Sequence, residues 1–426
     1  MLSPALLLEG PYVTAVGETT ATVRAELRSA APVSVELTPD AGDAGRRRCE
    51  GKAAAMQVVH CDGLAVGTRY AYALLVAGAP VARGHLVTAP PAASTAPQTF
   101  IVYGDDRTDD DAHAAVVRAM IGVPADFLVN TGDMVADGGS AANWATFFAI
   151  ERDLLRERPL FAAIGNHELY DDAAGANFAR YFGFEGADGA PHPYGTLRFG
   201  AVRFFFLNGV NDFAGGPERA WLERALASAD GEPGLIWRIA VVHQGPWSSG
   251  PHGPNARLVA AGVPQLLAAH RVDLVLSGHD HLYERGDAGA LKYIVTGGGG
   301  APVYRDIHPT ATTRKVEPVH HFVEVTTTPD VLRIVAIRAD GTTLDRCGFA
   351  KGGPWDCDAP AISAPAPPPA SAGPGRSASV TRAPGNEGSG KCDVGAGAGG
   401  GPGADPLSIA LFLGALASWV LRIKGD

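Results

Sequence analysis

With 426 residues and 46% hydrophobic side chains, the chain has enough apolar material for a large core and length for more than one domain. Its formal net charge of −10 argues against a grip on nucleic acid, and Arg46, Arg47 and Arg48, the one dense basic run, read as a solvated loop.

Residues 1–92 carry short strand-like pieces broken by turns, at 20–27, 33–37, 69–76 and 84–88, and this spacing predicts a β-sandwich. The segment holds no catalytic constellation. A structural spacer or the rim of a cleft is therefore its expected role, with carbohydrate or protein binding as the alternative. Pro90 to Pro97 is a Pro/Ala/Ser linker.

From residue 97 to 357 apolar strand-like runs alternate with helical patterns at 110–121, 141–155, 217–229 and 256–270, the third starting on Pro217. Segments 292–296, 321–326 and 331–337 read as later strands, the last two as a hairpin around Thr328 to Asp330 that helps to close a second sheet. Five apolar runs end in metal-capable residues: Ile101 to Asp105, Phe127 to Asp133, Leu160 to Glu168, Ile239 to His243, and Val275 to His281. Parallel strands separated by helices bring such ends to one edge of a sheet. In the last run alternation points His279 and His281 the same way, with Gly278 letting the backbone turn before them.

This ordered set of motifs, with Gly-His-x-His-x-Tyr-Glu-Arg at 278–285, resembles the calcineurin-like metallophosphoesterase superfamily and, within it, the purple-acid-phosphatase-like branch, over about Gln98 to Cys357. Leu64 to Tyr72 and Thr88 to Pro91 look like the end of a fibronectin type III-like module, which precedes the catalytic domain in purple acid phosphatases. The resemblance implies a fibronectin III-like β-sandwich followed by an α/β metallophosphoesterase sandwich, two mixed sheets flanked by helices. It also implies a binuclear metal-dependent phosphoesterase that hydrolyses phosphate monoesters, ahead of diesters, by a hydroxide bridging two metal ions. A cell-surface binding protein with a vestigial hydrolase site is the rival reading.

On the same resemblance Asp133 bridges the ions, Asp105 and His281 serve the first, and Asn166, His243 and His279 serve the second. His167 contacts the phosphate or protonates the leaving group, with Glu168 orienting its other ring nitrogen, and His252 is a second candidate for that work. Tyr283, Glu284 and Arg285 read as supports behind the ligands, and Gly297 to Gly300 as a close packing site or flexible loop rather than a phosphate cradle.

The superfamily's first motif is Asp-x-His, whereas this chain has Asp105-Asp106-Arg107. Arg cannot bind a cation, so Arg107 is expected to fork a substrate phosphate oxygen or to pair with a nearby acid, and His113 is a candidate to supply the missing ligand. Ala136 stands where purple acid phosphatases carry the tyrosinate that binds ferric iron. Two metal ions, Fe, Mn or Zn, are the expected cofactors, with a divalent pair favoured and a working pH nearer neutral. Phosphorylated small molecules or proteins are the expected partners.

Residues 359–403 are rich in Pro, Ala, Gly and Ser and read as a disordered stalk. Residues 404–426 contain an uncharged run of 16, Pro406 to Leu421, about 24 Å long as a helix, before Arg422 and Lys424. This tail resembles the tripartite sorting signals of bacterial surface proteins and implies attachment to a membrane. Of the five cysteines, Cys49 with Cys61 and Cys347 with Cys357 can each close a small loop, leaving Cys392, and such bridges imply an extracytoplasmic, secreted or surface location. Met1 to Leu8 lacks the basic flank and length of a signal peptide, so a start further upstream is expected.

Overall fold

The computed structural model describes residues 6–186, 188–210, 213 and 215–358. The predicted stalk at 359–403, the tail at 404–426 and Cys392 lie outside the described residues.

The amino-terminal strands form two antiparallel sheets, one ordered Leu7–Val16, Ala21–Ala31, Ala54–Cys61 and the other Arg47–Glu50, Val33–Pro39, Arg69–Val76, Ala79–Val87. Alternation decides which side chains face inward: Tyr70, Tyr72 and Leu74 are buried, while Arg69, Ala71 and Ala73 between them are part-exposed. A Cys49–Cys61 disulfide joins one sheet to the other. The sandwich docks on the helices Ala141–Leu155 and Ala176–Phe182, where the Tyr12 ring lies 5.0 Å from Phe148 and 5.5 Å from Phe182. Arg24 completes the contact by donating to the carbonyls of Arg180 and Gly183.

Two further sheets pack face to face. The first is ordered Leu160–Ala162, Phe127–Asn130, Gln98–Tyr103, His321–Thr327, Val331–Arg338, Thr343–Ala350, its first three strands parallel. The second runs Gly195–Phe199, Val202–Leu207, Trp237–Val242, Leu274–Ser277, Leu291–Thr296, Tyr283–Ala288, Thr313–Glu317. Phe100, Phe127 and Phe161 meet Phe204, Phe206, Ile239, Leu274 and Leu276 in the layer between them. Phe127 stacks on Phe100 at 5.2 Å and meets the edge of Phe204 at 5.6 Å. The outer face of the first sheet is covered by the helices Asp110–Ile121 and Ala141–Leu155 through Val116, Met120, Trp144 and Phe147. The helix Pro217–Asp230 covers the second through Leu222 and Leu226. Central strands buried on both faces explain why the sequence shows continuous apolar runs rather than alternation.

Two expectations need correction. The 321–338 hairpin does not close the second sheet: His321–Thr327 pairs antiparallel with Gln98–Tyr103 and extends the first. The helix expected at 256–270 is two, Ala256–Ala260 and Val263–Ala269, because Gly262 takes a left-handed φ of 68° and Pro264 follows it. A second disulfide, Cys347–Cys357, closes the loop after the last strand.

Candidate metal centre

The strands ending at Tyr103, Asn130 and Ala162 belong to the first sheet and those ending at Val242 and Ser277 to the second, so the turns that carry the polar motifs come from two sheets rather than from the single sheet edge expected. Asp105, Asp133 and His279 have left-handed φ values of 59°, 57° and 70°. For non-glycine residues each such turn costs of order 1–3 kcal/mol, so packing around them must over-determine the geometry. Two glycines allow the motifs to interlock: a Cβ on Gly165 would stand 2.2 Å from Asp133 Oδ1, and one on Gly278 would stand 2.3 Å from Asp105 Oδ2.

Asp133 lies at the middle and is fully buried. Its Oδ1 is 3.2 Å from His243 Nε2 and accepts the His167 backbone N–H at 3.0 Å; its Oδ2 accepts from Arg107 Nε at 3.1 Å. His279 Nδ1 is 3.2 Å from His243 Nε2, and ligand atoms of Asp133, His243 and His279 lie within 4.8 Å of one another. Asp105 and His281 form the adjoining pair, with Nε2 3.5 Å from Oδ1, while Asp105 Oδ2 accepts the His279 backbone N–H at 2.9 Å.

Backbone carbonyls set the tautomers. His243 Nδ1 is 2.9 Å from the Thr131 carbonyl, His281 Nδ1 is 2.8 Å from that of Pro302, and His167 Nδ1 is 2.7 Å from that of Ala136. A carbonyl only accepts, so each Nδ1 carries the hydrogen, and in the neutral ring Nε2 presents its lone pair to the centre. That is how imidazole ligands are oriented. Two buried oxygens, Asp105 Oδ1 and Asn166 Oδ1, have no hydrogen-bond partner among the described residues. Leaving such an oxygen unmet costs about 1–3 kcal/mol, and a cation held by Asp105 or by Asn166 would relieve that cost. The donor set of carboxylates, amide oxygen and imidazoles fits divalent transition metals.

In the metal-free cluster the imidazoles differ in charge. Burial opposes a charge on His243, yet the Asp133 and Asp105 carboxylates outweigh it and lift the imidazole to about 9. Burial and the charge of His243 depress His279 to about 2, and burial depresses His281 to about 4, so both offer neutral nitrogens. Burial raises Asp105 to about 7, whereas at Asp133 the burial penalty is outweighed by His243 and the carboxyl falls below its usual range. A cation held by His243 would have to displace this proton, so its binding would be favoured as pH rises.

One expectation about the surroundings is narrowed and two change. Arg107 takes the ion-pair alternative, bonding Asp133 and placing Nη2 3.3 Å from His281 Nε2. Glu168 does not orient His167, whose ring is held by Ala136. Instead its buried carboxylate accepts from the N–H groups of Gly165 (2.7 Å), Asp133 (2.9 Å), Met134 (2.8 Å) and Val135 (3.3 Å), stapling two ligand loops together. His113 turns to Glu151, with Nε2 2.9 Å from Oε1, and groups with Asp106 rather than with Asp133.

His252 reaches the centre's edge: its ring is 4.4 Å from that of His279, and Nε2 lies 3.3 Å from the Tyr304 hydroxyl. Tyr304 stacks on His281 at 4.1 Å, a neighbour that no motif announced. Tyr283 and Arg285 both bond Asp345 at 2.7 Å, while Glu284 accepts from Ser249, Tyr293 and Thr313. Those three brace the strand and the loop of His252 rather than the ligands directly. Gly298 and Gly299 are packing positions, since a Cβ would meet His321 Nδ1 at 2.2 Å and Asp106 Oδ1 at 2.0 Å.

Residues 100–283 match the family described as calcineurin-like phosphoesterase, and residues 4–94 match a domain of unknown function, DUF7800. Among curated relatives, Probable purple acid phosphatase 20 of Arabidopsis thaliana is 31% identical over 209 residues, 43% of this chain and 48% of that protein. Purple acid phosphatase 23 of the same plant is 29% identical over 150 residues, 33% of this chain and 32% of that one. The chain thus spans half or less of the length of these relatives. Among solved structures, purple acid phosphatase PPD1 from yellow lupin seeds shares the fold with a TM-score of 0.68 at 17% identity, covering 81% of this chain and 74% of that one. The chain therefore carries a calcineurin-like phosphoesterase domain over residues 100–283, and its relatives and its fold are similar to those of purple acid phosphatases.

Proposed function

We propose that this chain is a metal-dependent phosphoric ester hydrolase with a two-cation centre, acting on phosphate monoesters ahead of diesters. The observation that carries this reading is a fully buried Asp133 grouped with His243 and His279, their ligand atoms within 4.8 Å of one another, with Asp105 Oδ1 buried and without a hydrogen-bond partner among the described residues. Bound cations supply an activated water and neutralise developing negative charge on the phosphoryl group. Asp133 spans the two ligand groups. The His252–Tyr304 pair stands at the edge of the centre, where a phosphate oxygen can be met by donors, while Arg107 holds Asp133. Assaying an aryl phosphate beside an aryl phosphodiester, with metal analysis of the same preparation, tests the reading. Absence of both metal and turnover would favour the surface-binding alternative.

His167 is the proton carrier in this scheme. Its Nε2 lies 3.8 Å from Asp133 Oδ2, and burial lowers its pKa below the usual 6.5. The proton-loaded form is therefore full at acid pH and lost as pH rises through that lowered value. His167→Ala is expected to retain metal and to slow turnover by about 100-fold or more, the usual size of an acid–base contribution. The loss should be larger for an alkyl phosphate than for a nitrophenyl phosphate, whose leaving group needs less protonation. Metal lost in step with activity would assign His167 to the ligands instead.

Colour provides an independent check. At position 136 the chain offers only a backbone carbonyl, already bonded to His167, while the Tyr283 hydroxyl bonds Asp345 and that of Tyr103 lies beside Glu151 and Asp106. Iron-loaded protein is expected to lack an intense visible charge-transfer band. A strong band abolished by Tyr→Phe at 103, 283 or 304 would overturn this.

The two disulfides suit an extracytoplasmic compartment. Among the described residues no helix is long and apolar enough to cross a membrane. We place attachment in residues 404–426, whose removal should release a membrane-associated protein with unchanged specific activity. Identical fractionation of the two forms would sink the anchor.

A further inference from the structure

Behind the Asp133 centre lies a second polar cluster that the proposed reaction does not use. Tyr103 ends the strand Gln98–Tyr103, Asp106 sits in the turn beyond it, His113 is on the helix Asp110–Ile121 and Glu151 on the helix Ala141–Leu155. None of the four is more than 2% exposed. His113 Nε2 is 2.9 Å from Glu151 Oε1, and Asp106 Oδ2 accepts from Asn130 Nδ2 at 2.6 Å. One ligand atom each from Asp106, His113 and Glu151 falls within 4.8 Å of the others.

The hydrogen bonds do not account for this cluster. Asp106 Oδ1 and Glu151 Oε2 are buried without a hydrogen-bond partner among the described residues, and the Tyr103 hydroxyl lies against Glu151 and Asn130. The glycine run closes over them, for a Cβ on Gly299 would stand 2.0 Å from Asp106 Oδ1, so no side chain enters there to donate. Two carboxylates close together in the interior repel each other and each carries a large desolvation cost. A cation relieves both penalties. Donors on one small cation, each about 2.1 Å from it, lie about 3.0 Å apart in octahedral and about 3.4 Å in tetrahedral coordination, and His113 and Glu151 already stand 2.9 Å apart.

We propose that Asp106, His113 and Glu151 bind a divalent transition-metal ion, with the Tyr103 hydroxyl beside it, at a site separate from the Asp133 centre. Imidazole with carboxylate selects the zinc, manganese and iron class over calcium. The ion fastens the turn that carries Asp105 and Arg107 to two helices of the outer layer. Its role is structural, since the site is closed and no ligand atom is left open to substrate.

The test is metal content and position rather than activity. For the full chain purified after growth with zinc or manganese, the Asp133→Asn variant is expected to retain one equivalent of metal by mass spectrometry. Adding Glu151→Gln should remove it. Anomalous diffraction from wild-type crystals at the metal edge, which needs no variant to fold, should show a peak between Asp106, His113 and Glu151. Peaks confined to the Asp133 centre would overturn the proposal while leaving the phosphoesterase reading intact. A peak only in the buried cluster would support the proposal and defeat the two-cation centre.

Discussion

Asp133→Asn is expected to abolish measurable phosphatase activity and to deplete the Asp133 centre of metal. The substitution keeps size but replaces an acceptor oxygen with an amide nitrogen, which cannot bind a cation. It also removes the charge that holds His243 Nε2 at 3.2 Å and Arg107 Nε at 3.1 Å, leaving the guanidinium partly buried beside His281. Losing a residue that merely orients a ligand reduces metal affinity by about 10- to 100-fold, and losing the shared carboxylate should exceed that. Calorimetric titration of apoprotein with manganese or zinc measures the change. Wild-type affinity together with lost turnover would move Asp133 from the ligands to proton transfer.

Glu168→Ala is expected to unfold more easily and to lose metal, although Glu168 touches no cation in this scheme. Its carboxylate is the common acceptor for four backbone N–H groups from two loops, and it is fully buried. Truncation leaves those donors unmet in the interior, each costing about 1–3 kcal/mol before relaxation, and releases the turn on which Asp133 holds its left-handed φ of 57°. A net destabilisation of about 3–5 kcal/mol follows, the range seen when one partner of a buried charged contact is removed. Glu168→Gln should restore only part of it, because the amide nitrogen would face N–H donors instead of accepting from them. Urea midpoints of the metal-free proteins give the magnitude, and a wild-type midpoint for Glu168→Ala would show that the loops hold without the staple.

Much of the arrangement could be read from order alone. The runs ending in Asp105, Asp133, Asn166, His243 and His279 could be picked out because parallel strands followed by short turns put polar residues at strand ends, although the runs divide between two sheets. The surroundings could not. Thr131, Ala136 and Pro302 act through carbonyl oxygens, which every residue carries, so no residue type marks them. Tyr304 and Asp345 approach from distant segments whose register is decided by sheet pairing. Glu168 was visible as an acid beside His167, but in the short helix His167–Leu169 successive side chains point apart, which turns it toward the backbone of the other loop.

By itself, then, the sequence determined the alternation of strands and helices, the identity of the metal-capable side chains and their order along the chain. These follow from local periodicity and residue chemistry. Only the tertiary structure decided which imidazole nitrogen faces the centre, that Arg107 pairs with Asp133, and that His113 joins Asp106 and Glu151 instead of the Asp133 group. It also sent the 321–338 hairpin to the first sheet. Each of these depends on contacts between segments far apart in the chain, where packing and the pairing of buried polar groups, not local propensity, set the lowest free energy.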